Sequence, residues 1–276
     1  MNAAPDPLGA VSAGGPSAES TLRVTAVGCA GSFPGPASSA SCYLVQAERG
    51  GRTWNVALDL GNGALGSLQR YVEPRHLDAV VLSHLHPDHC LDLCGLHVMF
   101  SYQPSPRRSG RLPVYGPVGT GERLARAYGV DAPQPMDDWF AFEPMAEATA
   151  FEIGPLRIVP YLVNHPVEAY GLRVETAGAV LAYTGDTDSC PNLTPLCTGA
   201  SLMLADTAFV DGRDHLPNIH MSGSRAARAA VDAGGVQRLM LTHLPSWNDP
   251  QVCHDQAAAL WPGEVEVCRA GATYEL

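Results

Sequence analysis

Four metal-competent side chains fall within six residues in Ser83-His84-Leu85-His86-Pro87-Asp88-His89, directly behind an apolar run over residues 77–82. The run reads as a buried strand, so the cluster is delivered at a strand end, where the chain must turn. Neutral imidazole and carboxylate are ligands that zinc and similar borderline cations prefer. The alternation at His84 and His86 aims two side chains at one point, and Asp88 and His89 follow the turn toward a second. Burying four such groups together without a cation would strand polar atoms at about 1–3 kcal/mol each. The surrounding fold is therefore expected to close around metal.

The other segments describe what surrounds this cluster. Strand-like runs cover residues 22–27, 41–47, 54–60, 114–117, 156–163, 171–175, 180–184, 201–207 and 239–242. Helical patterns fit 64–71, 88–100, 224–233 and 252–261, and Gly28-Cys29-Ala30-Gly31-Ser32 reads as a turn. Strands mixed with helices in this order imply a layered α/β domain, although periodicity leaves the arrangement of the sheets open. The 276 residues suit one large domain, 21–276, behind a loose Ala/Gly/Pro/Ser tail, 1–20. That tail lacks the basic and apolar regions of a signal peptide, and the sequence contains no apolar run long enough for a membrane span.

Eight scattered cysteines without C-x-x-C spacing fit reduced thiols in a cytoplasmic protein. Cys90 and Cys94 would share one side of a helix and are expected to pack in a core. His76, His97, His215 and His254 have no motif around them and read as structural or solvent-exposed. A net charge of −11 opposes non-specific attachment to nucleic acid, which depends on basic groups neutralising phosphates.

The H-x-H-x-D-H series resembles the signature of the metallo-β-lactamase superfamily. That resemblance implies a four-layer αββα sandwich with two metals at one edge of the paired sheets. It also implies three further ligands: His165 in Asn164-His165-Pro166, Asp186 in Thr184-Gly185-Asp186, and His243 in Leu241-Thr242-His243. On that pattern His84, His86 and His165 hold one metal, Asp88, His89 and His243 hold the other, and Asp186 bridges them. Asp59, in Asp59-Leu60-Gly61-Asn62-Gly63, matches an aspartate that orients a ligand histidine; a loop cap before Gly61 is the plainer alternative. The implied cofactors are two Zn²⁺, and Mn²⁺ or Fe²⁺ also suit carboxylate-containing sites.

His220-Met221-Ser222, 23 residues before His243, resembles the phosphodiesterase branch that includes the tRNA 3′-processing endonucleases. There the matching histidine contacts the scissile phosphate or leaving group, supported by an acidic residue matched here by Asp206. The plainer alternative places His220 merely beside a helix start. The sequence departs from the endonucleases where they carry a basic, Gly-rich arm: residues 127–156 hold Asp131, Asp137, Asp138, Glu143, Glu147 and Glu152 and no basic residue. Such a segment would repel a tRNA backbone.

The motif series from residue 22 onward also resembles the actinobacterial cyclic-nucleotide phosphodiesterases of this fold. The points of likeness include Tyr115-Gly116-Pro117 and His220-Met221-Ser222-Gly223. The implied activity is hydrolysis of small phosphodiesters, 3′,5′-cyclic nucleotides such as cyclic AMP among them, to nucleoside monophosphates. A metal-bridging hydroxide would attack phosphorus, Asp88 would accept a proton, and His220, held by Asp206, would donate one to the leaving oxygen. The alternatives are an ester, lactone or thioester hydrolase, or a tRNA 3′-endoribonuclease. Expected partners are a small phosphodiester substrate and a second copy of the chain in a homodimer, with neither nucleic acid nor membrane.

Overall fold

The computed structural model describes residues 21–276 apart from 105, 107, 132 and 133; the tail 1–20 lies outside them. The first half of the chain builds one sheet from β1 (Leu22–Ala30), β2 (Ser39–Ala40), β3 (Cys42–Arg49), β4 (Arg52–Leu58), β5 (Ala79–Val81), β6 (Leu112–Gly116) and β7 (Phe140–Pro144). The second half builds another from β8 (Phe151–Ile153), β9 (Leu156–Leu162), β10 (Tyr170–Glu175), β11 (Val180–Tyr183), β12 (Leu202–Asp206), β13 (Leu239–Thr242) and β14 (Val265–Val267). A last strand, β15 (Thr273–Glu275), returns to pair antiparallel with β1.

Central strands that are apolar at successive positions must be covered on both faces. Val24, Tyr43, Val45, Val56 and Leu58 of the first sheet meet Leu172, Val174, Leu181, Leu202 and Leu204 of the second in a core between the sheets. The alternate residues Leu44, Ala57, Val80 and Leu82 pack under α1 (Ala64–Leu68), α2 (Pro87–Cys90), α3 (Leu93–Tyr102), α4 (Thr120–Tyr128) and α5 (Gln134–Asp137). Ala182, Met203, Ala205, Leu239 and Leu241 pack under α6 (Leu193–Cys197), α7 (Gly223–Ala233) and α8 (Pro250–Ala258). Three cores separate four layers, the αββα sandwich that the sequence resemblance implies. Among the described residues, no helix is long and apolar enough to cross a membrane.

Strand direction then gathers the important loops. β1 and β4 are each antiparallel to β3, and β4 to β6 run parallel, so their carboxyl ends share one edge. In the second sheet β9, β11, β12 and β13 likewise run together. Tyr170 N–H to Ser83 O at 2.9 Å and Gly31 N–H to Leu244 O at 3.2 Å join the two edges.

Two local expectations need correction. Residues 28–30 continue β1 instead of turning: Gly28 marks a register shift against β2, where a Cβ would lie 2.1 Å from the Ala40 carbonyl oxygen. The single helix expected over 88–100 is two, α2 and α3. The Asp92 N–H bonds the Leu60 carbonyl at 3.1 Å instead of its own helix, and the Asp92 carboxylate accepts from Leu65 N–H. Cys90 and Cys94 consequently lie on different helices, yet both pack in the same core. The acidic stretch 127–156 contains β7 and β8, edge strands of the two sheets, which sequence reading passed over.

Gly61 is where β4's exit meets the histidine motif. A Cβ there would sit 1.9 Å from the Asp88 carbonyl oxygen, and backbone on both sides is already bonded, Gly61 N–H to Ser41 O and Ser41 N–H to Asp88 O. Gly61→Ala is expected to destabilise the protein by at least about 1–3 kcal/mol, the usual scale of overpacking. Urea denaturation reads this directly, as a lower midpoint with an unchanged slope.

Candidate metal centre

Most of the proposed ligands leave the end of a strand. His84 follows β5, His165 follows β9, Asp186 follows β11 and His243 follows β13, while Asp88 and His89 sit in α2 immediately beyond His84 and His86. Pro87 starts α2 at a position where its missing N–H is not needed, which turns Asp88 and His89 back toward the sheet edge. His243 and Asp59 hold positive φ values of 58° and 59°, left-handed backbone that side chains other than glycine seldom adopt. Strain of this kind costs about 1–3 kcal/mol and is concentrated where a site is over-determined by its surroundings.

The side chains converge on two points. His84 Nε2 and His165 Nε2 lie 3.0 and 3.1 Å from His86 Nδ1. Nitrogens bound at about 2 Å around one tetrahedral ion stand about 3.4 Å apart, so this cluster is close to ligand spacing. At the second point Asp186 Oδ1 lies 3.2 Å from His89 Nε2, Asp186 Oδ2 lies 3.2 Å from His243 Nε2, and Asp88 Oδ2 lies 3.4 Å from His89 Nε2. Asp186 Oδ2 is also 3.8 Å from His84 Nε2, so one carboxylate reaches toward both groups. The ligand atoms of His84, His86 and His165, those of Asp88, His89, Asp186 and His243, and those of Asp186, Asp206, His220 and His243 each gather within 4.8 Å. The structure thus brings together all seven residues singled out from sequence. His76, His97, His215 and His254 stay out of these groups; His97 packs against Tyr128 and Phe140.

Two observations show that these residues fit cations. His89 Nε2 and Asp186 Oδ1 are buried without a hydrogen-bond partner, a costly arrangement unless something else satisfies them. In addition, the Asp59, Asp88, Asp186 and Asp206 side chains are all buried within one region, the most exposed of them, Asp88, at 9%. Uncompensated, they would repel one another strongly; a dication offsets that charge.

Protonation also suits metal binding. Burial pushes the pKa values of His84, His86 and His165 down, keeping them neutral. Burial alone would raise Asp186, but His243 and His89 outweigh it and hold the carboxyl well below its ordinary range. Asp88 is lowered in the same way, burial being overcome by His89. Deprotonated carboxylates and neutral imidazoles are the forms that ligate. His89 is the exception: burial pulls it down, but the Asp186, Asp59 and Asp88 carboxylates outweigh it and hold its pKa well above the ordinary imidazole range. A cation there must displace a proton.

The orienting contacts are specific. Asp59 accepts from His89 Nδ1 at 2.7 Å, Ser83 N–H at 2.7 Å, Ser83 Oγ at 2.8 Å and Tyr183 Oη at 2.7 Å. His165 Nδ1 donates to the Ile219 carbonyl at 2.9 Å, and His243 Nδ1 lies 3.1 Å from Ser41 Oγ. Each contact turns the opposite ring nitrogen toward the centre. Asp59 is therefore the orienting residue of the first alternative, and a loop cap does not describe it. Sequence reading missed Ser41, Ser83 and Tyr183 in this role; their one signal is a polar atom in an otherwise apolar strand or strand end.

His220 stands beside this arrangement. Its Nδ1 is 2.9 Å from Asp206 Oδ2 and 3.9 Å from Asp186 Oδ2. Asp206 also accepts from Thr187 N–H at 2.9 Å and Ala208 N–H at 3.1 Å, so its oxygens are occupied. Burial pulls the imidazolium of His220 down, but the Asp206 carboxylate outweighs it and holds the pKa up at about 9.

Residues 55–244 match the family described as the beta-lactamase superfamily domain. The chain belongs to the β-lactamase superfamily. Within it, a Mycobacterium leprae (strain TN) protein described as uncharacterized is 41% identical over 260 residues, covering 93% of this chain and 89% of the relative. The crystal structure of the metallo-β-lactamase-fold protein YhfI from Bacillus subtilis, described elsewhere as a probable metallo-hydrolase, superposes with a TM-score of 0.81 at 26% identity, covering 93% of this chain and all of that one. A ribonuclease Z of Mycobacterium bovis (strain BCG / Pasteur 1173P2) is 27% identical over 280 residues, covering 92% of each.

Elemental analysis of the purified protein is expected to give about two transition-metal ions per chain, because the superfamily ligand set splits into two groups. Values near one or zero in folded protein would contradict the assignment. Asp59→Asn is expected to lower metal affinity by roughly 10- to 100-fold, the usual effect of removing a residue that orients a ligand. Competition with a chromophoric chelator measures it.

Proposed function

We propose that the chain is a two-metal phosphodiesterase that hydrolyses small phosphodiesters, including 3′,5′-cyclic nucleotides such as cyclic AMP, to nucleoside monophosphates. The observation that carries this reading is His220 held by Asp206 next to Asp186. An ester or lactone hydrolase using the same ligands has no evident need for a further imidazole fixed in this position.

Cations held by His84, His86 and His165, by Asp88, His89 and His243, and by Asp186 between them would supply Lewis-acid charge and lower the pKa of the attacking water. The chain's own residues handle the protons. Asp88, ionised and beside His89, is placed to orient that water and take its proton. Asp206 fixes Nδ1–H of His220, leaving Nε2 to address the substrate. With a pKa of about 9 the imidazole carries a proton at neutral pH, the form a general acid needs. Water adds to phosphorus, the P–O3′ bond breaks, and the His220 proton goes to O3′, so a cyclic nucleotide yields the nucleoside 5′-monophosphate.

The ribonuclease Z relative favours a second reading, tRNA 3′-processing. Against it stands the acidic stretch 127–156, of which Phe140–Pro144 and Phe151–Ile153 form the edge strands β7 and β8. Glu147, in that stretch, accepts from Leu162 N–H and from the Asn192 side-chain amide, so it serves the fold. Cyclic AMP, bis-p-nitrophenyl phosphate, precursor tRNA and a lactone, compared with matched zinc and manganese, test the assignment. Efficient tRNA trimming at physiological salt, or lactone cleavage alone, would overturn it.

His220→Ala is expected to lower kcat on cyclic AMP by roughly 10²- to 10⁴-fold, the scale of a positioned acid. Metal content is expected to stay at the wild-type level. The loss on bis-p-nitrophenyl phosphate is expected to be much smaller, because p-nitrophenolate leaves without a proton. Steady-state kinetics on both substrates decide it; equal losses would replace proton donation with phosphate binding as the role of His220.

A further inference from the structure

Trp247 is 63% exposed, an unusual placement for a large ring whose burial would be strongly favourable. It is not isolated. Its ring packs on Phe33 with centroids 4.9 Å apart and planes inclined by 37°. The two rings come from different loops, one following β1 and one following β13, and each loop is fastened to the metal centre. Ser32 N–H lies 3.3 Å from His243 Nε2, the nitrogen that faces Asp186. Gly31 N–H bonds Leu244 O, and a Cβ on Gly31 would lie 2.1 Å from the His243 carbonyl oxygen. Phe33 therefore begins one residue from an atom touching a proposed ligand, and Trp247 follows that ligand by four residues.

The second loop is also held from below. Asn248 is buried, its side-chain amide donates to Ala208 O at 2.8 Å, and its oxygen accepts from Arg213 at 2.8 Å. Ala208 and Asp206 belong to the segment that holds His220. An exposed ring on a loop pinned this firmly loses little entropy when a ligand stacks on it.

We propose that Trp247, backed by Phe33, is the platform on which the base of a nucleotide substrate stacks, which makes it a specificity-determining residue. The inference rests on the phosphodiesterase reading of the site. With the phosphate at the metal centre, the ribose carries the base away from it, and the two loops that bear this aromatic pair are both joined to that centre through His243 and Leu244. A stacking surface favours purines over pyrimidines by ring area and discriminates against phosphodiesters that carry no base.

Steady-state kinetics on cyclic AMP and on an abasic 3′,5′-cyclic ribose phosphate test it, with Trp247→Ala, Trp247→Phe and Phe33→Ala. Trp247→Ala is expected to reduce the kcat/KM preference for cyclic AMP over the abasic substrate by about 5- to 150-fold, through KM, the range of one base–aromatic stack. Trp247→Phe is expected to keep most of that preference, and Phe33→Ala to lose part of it. An unchanged preference in Trp247→Ala overturns the platform. A separate calorimetric titration of metal-loaded protein with AMP distinguishes the two levels of the argument. If the wild type cleaves no phosphodiester, the phosphodiesterase reading fails; if AMP binds wild type and Trp247→Ala equally, the platform fails, and weaker binding to the variant supports it.

Discussion

The carboxylate of Asp59 has no exposure to water, and its charge is tolerated because four donors surround it. Two come from Ser83 at the end of β5, one from His89 in α2, and one from Tyr183 at the end of β11 in the opposite sheet. A single buried anion thus fastens the exit of β4, the histidine motif and the second sheet together. Breaking such a network leaves an uncompensated buried charge, which is far more damaging than losing one surface contact. The orientation of His89, and through it the placement of Asp88 and Asp186, depends on this arrangement.

Around that fastening, strand direction does the sorting. Because β1, β4 and β5 end on one edge, and β9, β11, β12 and β13 end on the facing one, side chains scattered over more than 150 residues of sequence arrive in one place. The cost is local: left-handed backbone at Asp59 and His243, and carboxylates buried together. Both features make sense when the edge closes around cations. Without them, His89 Nε2 and Asp186 Oδ1 would be stranded polar atoms in a well-packed protein.

The acidic stretch shows how one sequence property serves two levels. Its charge weighs against a polyanionic partner, while Phe140, Phe142, Phe151 and Ile153 within it supply the edge strands through which the chain passes from one sheet to the other. Its charged residues obscured those short alternating strands in the sequence. Tertiary context created them, because each pairs with a neighbouring strand of its sheet, β6 for β7 and β9 for β8.

What the sequence determined by itself was the chemistry and most of the framework. The H-x-H-x-D-H cluster is local, so its spacing alone announces a metal site, and long apolar runs announce buried strands whatever their partners. The resemblance carried by these motifs extended to His165, Asp186 and His243, and the structure gathers all of them. Only the tertiary structure decided how those pieces meet. Asp92 separates two helices, its N–H taken by the carbonyl of Leu60, distant in sequence; Gly28 serves a strand that β2 approaches too closely for a side chain. Ser41 and Tyr183 orient the site although only a polar atom in an otherwise apolar strand or strand end marks them. Phe33 and Trp247 become one surface through two loops more than 200 residues apart. Such contacts depend on strand order and sheet packing, which are long-range properties that periodicity in a single segment cannot encode.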